Sequence, residues 1–356
     1  MSWDQDPGVL SPVGRTMTNL LAEGPPRQLL DGFEPVYRDI VDYIVRCTHR
    51  IWEEKNVGLC RSHYSADCQL HTLAGPAVGA EVVTQNTIGA LAGYADRVVM
   101  AEDVIWSEDS PGTYYTSHRI MSRSTHFGDE AGIGLATMRG SGTTTIAACK
   151  VVANRIVEEW LVRDNLRALW QVGADPRALA EEQAQADRDG DQARHDWRKN
   201  MIAEVRDQPD IAVPSAHPAQ LPYAMHRAAF VEDQFGEAAQ TLSPAAEIHW
   251  PSNRRGYGRG YWTGCVMQLR AMLHDCAYRL QHVAARPLPH GDVAVALRWS
   301  IVGRHAGTGP WGEPSGRDIL LMAVSHYRLR AGAIVEDVTV FDEVAALRQA
   351  AGGLGA

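Results

Sequence analysis

The chain has 356 residues, of which 45% are hydrophobic and 22% are charged, and its formal net charge is −9 at pH 7. This composition is typical of a globular protein, and the length predicts two or three domains. The negative charge argues against a nucleic-acid partner, because contacts to phosphates need a basic surface. No stretch approaches the roughly 18 apolar residues of a membrane-spanning helix, so no membrane association is expected.

The cysteines and the start of the chain bear on its location. Six cysteines form no C-x-x-C pair, and the first residues lack the basic and apolar regions of a signal peptide. In a chain of this length such cysteines are typical of reduced thiols rather than of a disulfide framework. The sequence therefore predicts a cytoplasmic protein.

A long-period repeat runs through the chain, and its polar residues stay in step. The segment I-V-E-E-W-L-V-R-D ends at Asp164, and I-V-E-D-V-T-V-F-D ends 178 positions later, at Asp342. His71 and His249 are also 178 positions apart, and two segments ending in H-F-G and H-A-G are 179 positions apart. A repeat of this period predicts two structural units. The expected division is an arm at 1–30, a first domain at 31–175, a linker at 176–220 and a second domain at 221–352.

In the first unit the predicted helices precede most of the strands. Helical spacing of apolar residues covers three segments, at 35–52, 57–64 and 79–91. Residues 67–72 have the pattern of a short strand. Runs of strand-forming residues between turn signals predict further strands at 97–106, 113–124, 132–138, 143–152 and 155–164. Helices followed by a meander of strands indicate an α+β unit with an antiparallel sheet.

The second unit repeats this plan after a polar connection. Residues 176–206 are rich in Ala, Glu, Gln, Asp and Arg and predict a solvated helix, and 207–222 contain four prolines and predict an extended linker. The elements expected after it are helices at 223–242 and 261–273 and strands at 247–250, 278–287, 293–302, 318–329 and 333–342.

Asp164 and Asp342 are the first candidates for chemistry. In an extended strand Glu158, Trp160 and Asp164 share one face. Apolar neighbours there would raise the pKa of the Asp164 carboxyl toward the range that suits general acid/base catalysis. The alternative is that each aspartate caps the helix predicted to follow it, by accepting hydrogen bonds from backbone amides. The residues leave both interpretations open.

Histidine and arginine residues recur at equivalent places in the two units. His71 and His249 each follow a short strand, and their equal spacing to an aspartate favours one inherited pocket, although a structural histidine would be inherited as faithfully. Arg119 and Arg298 lie within apolar strands. Such an arginine either pairs with a buried carboxylate or faces a pocket, where it could stabilise an oxyanion.

Other side chains are candidates for substrate binding. Two histidines end strands beside glycines, so a role in a turn is their alternative. The segment G-Y-G-R-G-Y-W at 256–262 lacks the G-K-[ST] ending of a phosphate loop and predicts a flexible lip of a pocket. No H-x-x-x-H or H-E-x-x-H spacing occurs, so no metal site is predicted. The candidate substrate-binding residues are Trp160, His126, Tyr115, His305, Trp299 and Tyr261.

Several motifs together carry a resemblance to a known family. The segment R-I-V-E-E-W-L-V-R-D-N-L-R-A-L-W-Q-V-G, which ends at Gly173, closely resembles the C-terminal signature of SnoaL-like polyketide cyclases in the NTF2-like superfamily. That signature is a dGKIvEhW-type strand followed by a hydrophobic helix ending in Q-x-G. The second unit is similar in G-D-V-A-V-A-L-R-W-S-I-V-G-R-H-A-G, G-E-P-S-G-R-D-I and A-I-V-E-D-V-T-V-F-D. The resemblance covers about 33–173 and 221–352.

The resemblance implies a fold and a role for two aspartates. It implies two cone-shaped α+β barrels, each a curved antiparallel sheet with N-terminal helices around an apolar pocket. In family cyclases an aspartate on the final strand is the general acid/base of a cofactor-free, aldol-type ring closure, and this role carries over to Asp164 and Asp342. Val338 replaces Trp160 in the second unit, which is a departure between the two pockets. The superfamily also contains isomerases, dehydratases, lyases and binding proteins, so the fold does not decide the reaction.

The leading hypothesis is a cofactor-independent general acid/base enzyme that acts on a small, apolar, oxygenated substrate as an aldol-type cyclase, lyase, isomerase or dehydratase. The alternative is a non-catalytic protein that binds a small ligand or serves as a scaffold, and a third hypothesis places catalysis in one unit only. The two units are expected to form an internal pseudo-dimer, and further homodimerisation is compatible with the sequence. The predicted catalytic residues are Asp164, His71, Arg119, Asp342, His249 and Arg298.

Overall fold

The computed structural model describes residues 11–129, 133–190 and 192–353. The chain separates into two compact units. The first comprises 11–72, 76–163 and 168–174, and the second comprises 73–75, 164–167 and the described residues from 175 onward. Residues 164–167, which follow the last strand of the first sheet, therefore belong to the second unit.

The first unit contains five helices and six strands among its described residues. They are α1 (Met17–Leu21), α2 (Ile40–Trp52), α3 (Leu59–His63), β1 (Tyr64–His71), β2 (Ala77–Val78), α4 (Ala80–Gly93), β3 (Val98–Ser110), β4 (Thr113–Thr125), β5 (Gly140–Val152), β6 (Arg155–Arg163) and α5 (Asn165–Val172). The first residues of α5 belong to the second unit and the rest of the helix to the first.

The first sheet is mixed rather than purely antiparallel. Its strand order is β2-β1-β6-β5-β4-β3, and β1 pairs with β6 in parallel while the other neighbours are antiparallel. No pairing between β2 and β3 closes the sheet among the described residues. The predicted α+β class is confirmed, and the sheet predicted as an antiparallel barrel is an open, mixed sheet in the described residues.

Helix α2 forms the core of the first unit with one face of this sheet. Asp39 begins the helix, because its carboxylate accepts a hydrogen bond from the Asp42 amide at 2.7 Å. Apolar residues at helical spacing, including Tyr43 and Cys47, then pack against Cys149 and its neighbours on β5. The sheet face that carries Cys149 is called the helix-facing side below.

The second unit contains the connecting helices α6 (Pro176–Arg188) and α7 (Gln192–Asp207) and a second six-stranded sheet. Its order, β8-β7-β12-β11-β10-β9, repeats that of the first sheet, including the parallel pair β7/β12. The remaining elements are α8 (Gln220–Phe230), α9 (Phe235–Gln240), β7 (Leu242–Trp250), β8 (Arg254–Tyr257), α10 (Gly258–Met272), β9 (Leu273–Pro287), β10 (Val293–His305), β11 (Asp318–Arg330), β12 (Ala333–Phe341) and α11 (Glu343–Ala350).

Corresponding hairpins turn in the same way in the two sheets. Ala153 and Asn154 join β5 to β6 with φ of 44° and 68°, and Ala331 and Gly332 join β11 to β12 with φ of 48° and 78°. Two successive residues with positive φ suit a two-residue hairpin, whose twist then matches that of the strands. The repeat is therefore present in the backbone as well as in the sequence.

Some predicted elements differ from the structure. The strand predicted at 132–138 is absent from 133–138, and residue 132 lies outside the described residues. The helix predicted at 223–242 is broken after Phe230, where Asp233 has a φ of 55°. The Gly-rich lip is instead the junction of β8 and α10, where a Cβ at Gly258 would lie 2.7 Å from the Pro244 carbonyl oxygen. In the described part of the chain, no helix is long and apolar enough to cross a membrane.

Candidate active site

The last strand of the second sheet places one carboxyl inside the second unit. Asp337 on β12 is directly opposite Tyr327 on β11, which is opposite Val295 on β10. Residues that face each other across antiparallel strands project from the same side of the sheet. Trp262 of helix α10 forms a hydrogen bond with Asp337, so the face of the second sheet that carries Asp337 is its helix-facing side. Asp337 has no solvent exposure at all.

Both oxygens of the Asp337 carboxyl are hydrogen-bonded. The indole Nε1–H of Trp262 donates to Oδ2 at 2.9 Å, and the hydroxyl of Thr339 donates to Oδ1 at 2.7 Å. The hydroxyl of Ser325 lies 2.8 Å from that of Thr339 and accepts a hydrogen bond from Trp299 Nε1 at 3.0 Å. Because the Thr339 hydroxyl donates its one proton to Asp337, the Ser325 hydroxyl donates to Thr339, and the hydrogen bonds run from Trp299 toward Asp337.

A second group of hydrogen bonds lies beside this chain. His226 of α8 places Nε2 at 2.5 Å from the Tyr327 hydroxyl and Nδ1 at 2.9 Å from the Tyr278 hydroxyl. Burial lowers the pKa of His226 to about 3, so its ring is neutral and donates to one tyrosine while it accepts from the other. Burial raises the pKa of Tyr327 and of Tyr278 well above the usual value, so both stay protonated.

Unlike His226, Tyr278 and Tyr327, Asp337 can change charge near neutral pH. Burial raises its pKa to about 7, and the hydrogen bonds from Thr339 and Trp262 lower it by less than burial raises it. A carboxyl that exchanges its proton near pH 7 can act as either an acid or a base under physiological conditions.

The first unit has a carboxyl at the equivalent position of the repeat. Glu159 on β6 is 178 positions before Asp337 and is opposite Cys149 on β5, on the helix-facing side of the first sheet. It is 6% exposed. Burial raises the pKa of Glu159, while a hydrogen bond from Tyr64 and the charge of Arg163 lower it.

Asp342 lies at the end of the same strand as Asp337 and caps a helix. Its Oδ1 accepts hydrogen bonds from the backbone amides of Val344 and Ala345, at 2.9 and 3.2 Å. Its Oδ2 accepts a hydrogen bond from Asn165 Nδ2 at 2.7 Å. Burial raises the pKa of Asp342 to about 6, and these hydrogen bonds lower it. The carboxylate has the geometry of the predicted helix cap.

Asp164 is held by a different segment of the second unit. Its Oδ1 accepts a hydrogen bond from the Ser252 amide at 2.8 Å. Burial raises its pKa, as does the nearby negative charge of Glu343. Glu343 itself accepts a hydrogen bond from the Ser252 hydroxyl and pairs with Arg254 at 2.8 Å. Asp164 and Glu343 thus share Ser252 as a partner.

The other residues predicted for the first site lie on the opposite face of the first sheet. His71 Nε2 is 2.9 Å from Glu158 Oε1, and the His71 ring stacks on Trp160 with a centroid distance of 5.0 Å. The Tyr115 ring lies 6.4 Å from that of Trp160. The His71 side chain is 30% exposed. The structure therefore brings His71, Trp160 and Tyr115 together, on the side away from Glu159.

The predicted arginines lie within strands β4 and β10. Arg119 is opposite Ile146 on β5, and its Nε atom lies 3.4 Å from Oε2 of Glu102. Arg298 neighbours Trp299 on β10 and, by strand alternation, projects from the other face of the sheet. His249 pairs with Glu247 at 2.6 Å.

His126 and His305 hold equivalent turns. The Nδ1 atom of each accepts a hydrogen bond from a backbone amide at 3.3 Å, from Thr137 and from Ser315 respectively. Burial lowers the pKa of His305, which keeps its Nδ1 available as an acceptor. Both rings are fully buried, which matches the alternative of a role in a turn. Tyr261 packs its ring against the Gly256 backbone, where a Cβ would lie 2.5 Å from ring carbons.

The interior carboxyls were missed as candidates, although a signal for them was present. Glu159 and Asp337 have the same spacing of 178 as the aspartates at the strand ends. The pattern I-V-E-[ED] contains two adjacent acids, which must project from opposite faces of a strand. Among the described residues, no group of three or more His, Cys, Asp and Glu side chains is arranged to hold a metal ion.

Comparison with known proteins confirms the resemblance seen in the motifs. Residues 221–350 match the model of the SnoaL-like polyketide cyclase family. The second unit is therefore similar to that family, and the first unit repeats the strand order of the second. No curated protein matches the sequence significantly.

Solved structures align with about one unit of the chain each. IdmH from Streptomyces antibioticus is 22% identical, with a TM-score of 0.33, over 37% of this chain and 97% of IdmH. AclR from Streptomyces galilaeus is 20% identical, with a TM-score of 0.33, over 38% and 98%. TsrD from Streptomyces laurentii is 18% identical, with a TM-score of 0.33, over 40% and 99%. Similarity of this extent carries no information on function.

Proposed function

We propose that the protein is a cofactor-independent general acid/base enzyme that acts on a small, apolar, oxygenated molecule, with Asp337 as the group that moves the proton. The observation that carries this proposal is a fully buried carboxyl with a pKa of about 7, held by Trp262 and Thr339 in the unit that matches the family. Asp337 replaces Asp342 as the first choice, because the Asp342 carboxylate has the structural role of capping helix α11 through two backbone amides.

The chemistry open to Asp337 is proton transfer beside a carbonyl or a hydroxyl group. As a carboxylate it can remove a proton from the carbon next to a carbonyl, and the electron pair of that C–H bond then forms an enolate. As a carboxylic acid it can return the proton to an oxygen or a carbon. Aldol closure, isomerisation and dehydration all consist of such steps. A substrate would reach Asp337 only after side chains that enclose it move aside.

A second candidate function is non-catalytic ligand binding. It is favoured by the complete enclosure of Asp337 and by the two hydrogen-bond donors that already occupy its oxygens. In that case the partly exposed group of His71, Trp160 and Tyr115 would be the place where a flat ligand stacks. A homodimer and a cytoplasmic location stay predictions.

A general-base probe separates these functions. A base removes the C–H proton of nitrobenzisoxazole, and the electron pair of that bond turns the C=N bond into a nitrile. The N–O bond breaks at the same time, and its electron pair stays on the oxygen of a coloured phenolate. A desolvated carboxylate is a strong base for this step. We expect turnover that rises with pH around a midpoint near 7, where Asp337 becomes ionised, and a fall of about 100-fold or more in Asp337→Asn.

The control is Asp275→Asn, which makes the same carboxyl-to-amide change at an exposed site. Asp164→Asn and Asp342→Asn complete the set, because both positions were predicted from the sequence. Unchanged turnover in Asp337→Asn, or a loss confined to Asp164→Asn or Asp342→Asn, would overturn the assignment. Absence of turnover in the wild type would favour the binding function.

A further inference from the structure

Asp337 is enclosed, so a proton that it takes up needs a route to solvent. The carboxyl has no solvent exposure, and Thr339, which donates to its Oδ1 at 2.7 Å, is 2% exposed. The indole of Trp262 on Oδ2 cannot take a proton over, because an indole only donates. The Thr339 hydroxyl both donates and accepts, so Oδ1 is the oxygen through which a proton can pass.

Tyr327 continues the line of polar groups across the sheet. It is opposite Asp337 in register, and Ser325, two residues before it on β11, is opposite Thr339. These four side chains therefore project from one face of two neighbouring strands. Burial and the nearby charge of Asp337 raise the pKa of Tyr327, whereas hydrogen bonds with Ser325 and Thr339 lower it. The Tyr327 hydroxyl thus adjoins the hydroxyl that donates to Asp337.

His226 connects Tyr327 with a tyrosine nearer the surface. Its Nε2 is 2.5 Å from the Tyr327 hydroxyl, and its Nδ1 is 2.9 Å from the Tyr278 hydroxyl. The His226 ring is 2% exposed, whereas Tyr278 on β9 is partly exposed. A neutral imidazole has one N–H and one bare nitrogen, so it can take a proton on one side and release another on the opposite side.

We propose that a proton relay connects Asp337 with solvent. Its members, in order from the carboxyl, are Thr339, Tyr327, His226 and Tyr278. The proposal rests on the function proposed for Asp337, because a buried base that has taken a proton from its substrate must release it before it can act again. The relay residues act on a substrate only through Asp337.

Each member of the relay gives up one proton as it receives another. Asp337 passes its proton to the Thr339 oxygen, and the Thr339 proton moves to the Tyr327 oxygen. Tyr327 gives its own proton to Nε2 of His226, while the proton on Nδ1 passes to Tyr278, which releases one to water. The carboxyl becomes a carboxylate and one proton appears in solvent. The groups between them keep their charge, and His226 changes its tautomer.

The test measures how fast Asp337 exchanges its proton in the full chain. A temperature jump in a buffer whose pH changes with temperature displaces the protonation equilibrium. Time-resolved infrared spectroscopy then follows the carbonyl stretch of the protonated carboxyl, and Asp337→Asn identifies its band. Each protein is measured at the pH where half of Asp337 is protonated, so a change in the pKa does not affect the comparison.

Three variants interrupt the relay. Tyr327→Phe and Tyr278→Phe each delete one hydroxyl and keep the ring. We expect the relaxation of Asp337 to slow by about tenfold or more in both, because a proton that crosses the gap forgoes a buried hydrogen bond. His226→Gln keeps a donor and an acceptor but cannot exchange tautomers, so it should be equally slow. A variant that merely loosened the fold would speed the exchange by opening the interior.

Tyr223→Phe is the matched control. The Tyr223 hydroxyl donates to Asp210 at 2.7 Å, and Tyr223 lies on the same helix as His226 but outside the relay. The control should relax at the rate of wild type. It shows whether the loss of any tyrosine hydroxyl in this unit slows the exchange.

Unchanged relaxation in Tyr327→Phe and Tyr278→Phe, or equal slowing in Tyr223→Phe, would overturn the proposal. Slowing in Tyr327→Phe alone would contradict the exit through Tyr278. The two proposals can fail separately. If Asp337→Asn keeps its turnover of nitrobenzisoxazole, the function of Asp337 fails, whereas the relaxation rates still decide whether the relay exists.

Discussion

The interiors of the two units hold a carboxyl at equivalent positions of the repeat, yet surround it differently. In the second unit Asp337 receives hydrogen bonds from an indole and a hydroxyl, and the hydrogen-bonded pair of His226 and Tyr327 lies beside it. In the first unit Glu159 lies among thiols, with Tyr64 as its donor. The two units therefore keep an acid at the same position of the repeat, whereas the donors around it determine what the acid can do.

The largest effect is expected when the indole donor of the second interior is removed. Trp262→Phe leaves Asp337 Oδ2 buried without its donor and leaves a gap beside it. We expect a loss of about 3 kcal/mol in the free energy of unfolding above neutral pH, measured by urea denaturation. The loss should be smaller at pH 5, where Asp337 is protonated.

Trp170→Phe is the matched control, because Trp170 is exposed on α5. We expect it to change stability by no more than about 0.5 kcal/mol. Equal losses of stability in the two variants would show that the hydrogen bond from Trp262 to Asp337 does not stabilise the fold.

A slightly smaller effect is expected from pH. The pKa of Asp337 in the folded protein, about 7, is above its ordinary value of 3.8, so the folded state binds the proton more tightly than the unfolded state. Its contribution to stability is thus fully present below pH 4 and is lost as pH rises through 7. Between pH 5 and pH 8 this group alone predicts a loss of about 2 to 3 kcal/mol.

Asp337→Asn should remove that part of the pH dependence. The remainder reflects Glu159, Asp164 and Asp342, whose pKa values are also raised. Denaturation of both proteins at several pH values checks this, and identical pH profiles would contradict the protonation assigned to Asp337.

A third, smaller effect distinguishes a helix cap from an interior acid. Asp342→Ala removes the acceptor for the amides of Val344 and Ala345 and should cost about 1 kcal/mol, whereas Asp342→Asn should cost only a few tenths, because asparagine also caps helices. Denaturation curves of both variants check the order. If Asp342→Asn lowers the free energy of unfolding as much as Asp342→Ala does, the charge of Asp342 rather than its capping hydrogen bonds stabilises the protein.

The smallest effect is expected in the first interior. Tyr64→Phe removes the hydrogen bond to Glu159, and because that carboxyl is stable in its neutral form, the loss should be about 1 kcal/mol or less. Unfolding measurements should therefore rank Tyr64→Phe well below Trp262→Phe. The reverse order would show that Glu159 is ionised and depends on its donor.

Much of the fold followed from local signals in the sequence. The spacing of 178 marked two units, and apolar periodicity located most helices and strands, including β10 and β11. The parallel pairing of β1 with β6 could not be predicted, because it joins segments about ninety residues apart with no local signal. The break after Phe230 was missed because the apolar pattern continues across it.

The site was harder to predict than the fold. The two faces of β6 are both rich in apolar residues, with Trp160 and Val162 on one and Leu161 on the other, so alternation did not show which face the helix covers. The candidate site predicted from the sequence lies on the face of Trp160, so Glu159 on the other face is not among the predicted residues. Only the packing of α2 and α10 shows that Glu159 and Asp337 lie inside.

Proton exchange by Asp337 near neutral pH, inside the second unit, can be followed directly by infrared spectroscopy. The signal is the carbonyl stretch of a protonated carboxyl in the difference between wild type and Asp337→Asn. We expect a band that disappears with a midpoint at about pH 7. A band that disappears near pH 4, the ordinary range of an aspartate, would contradict it.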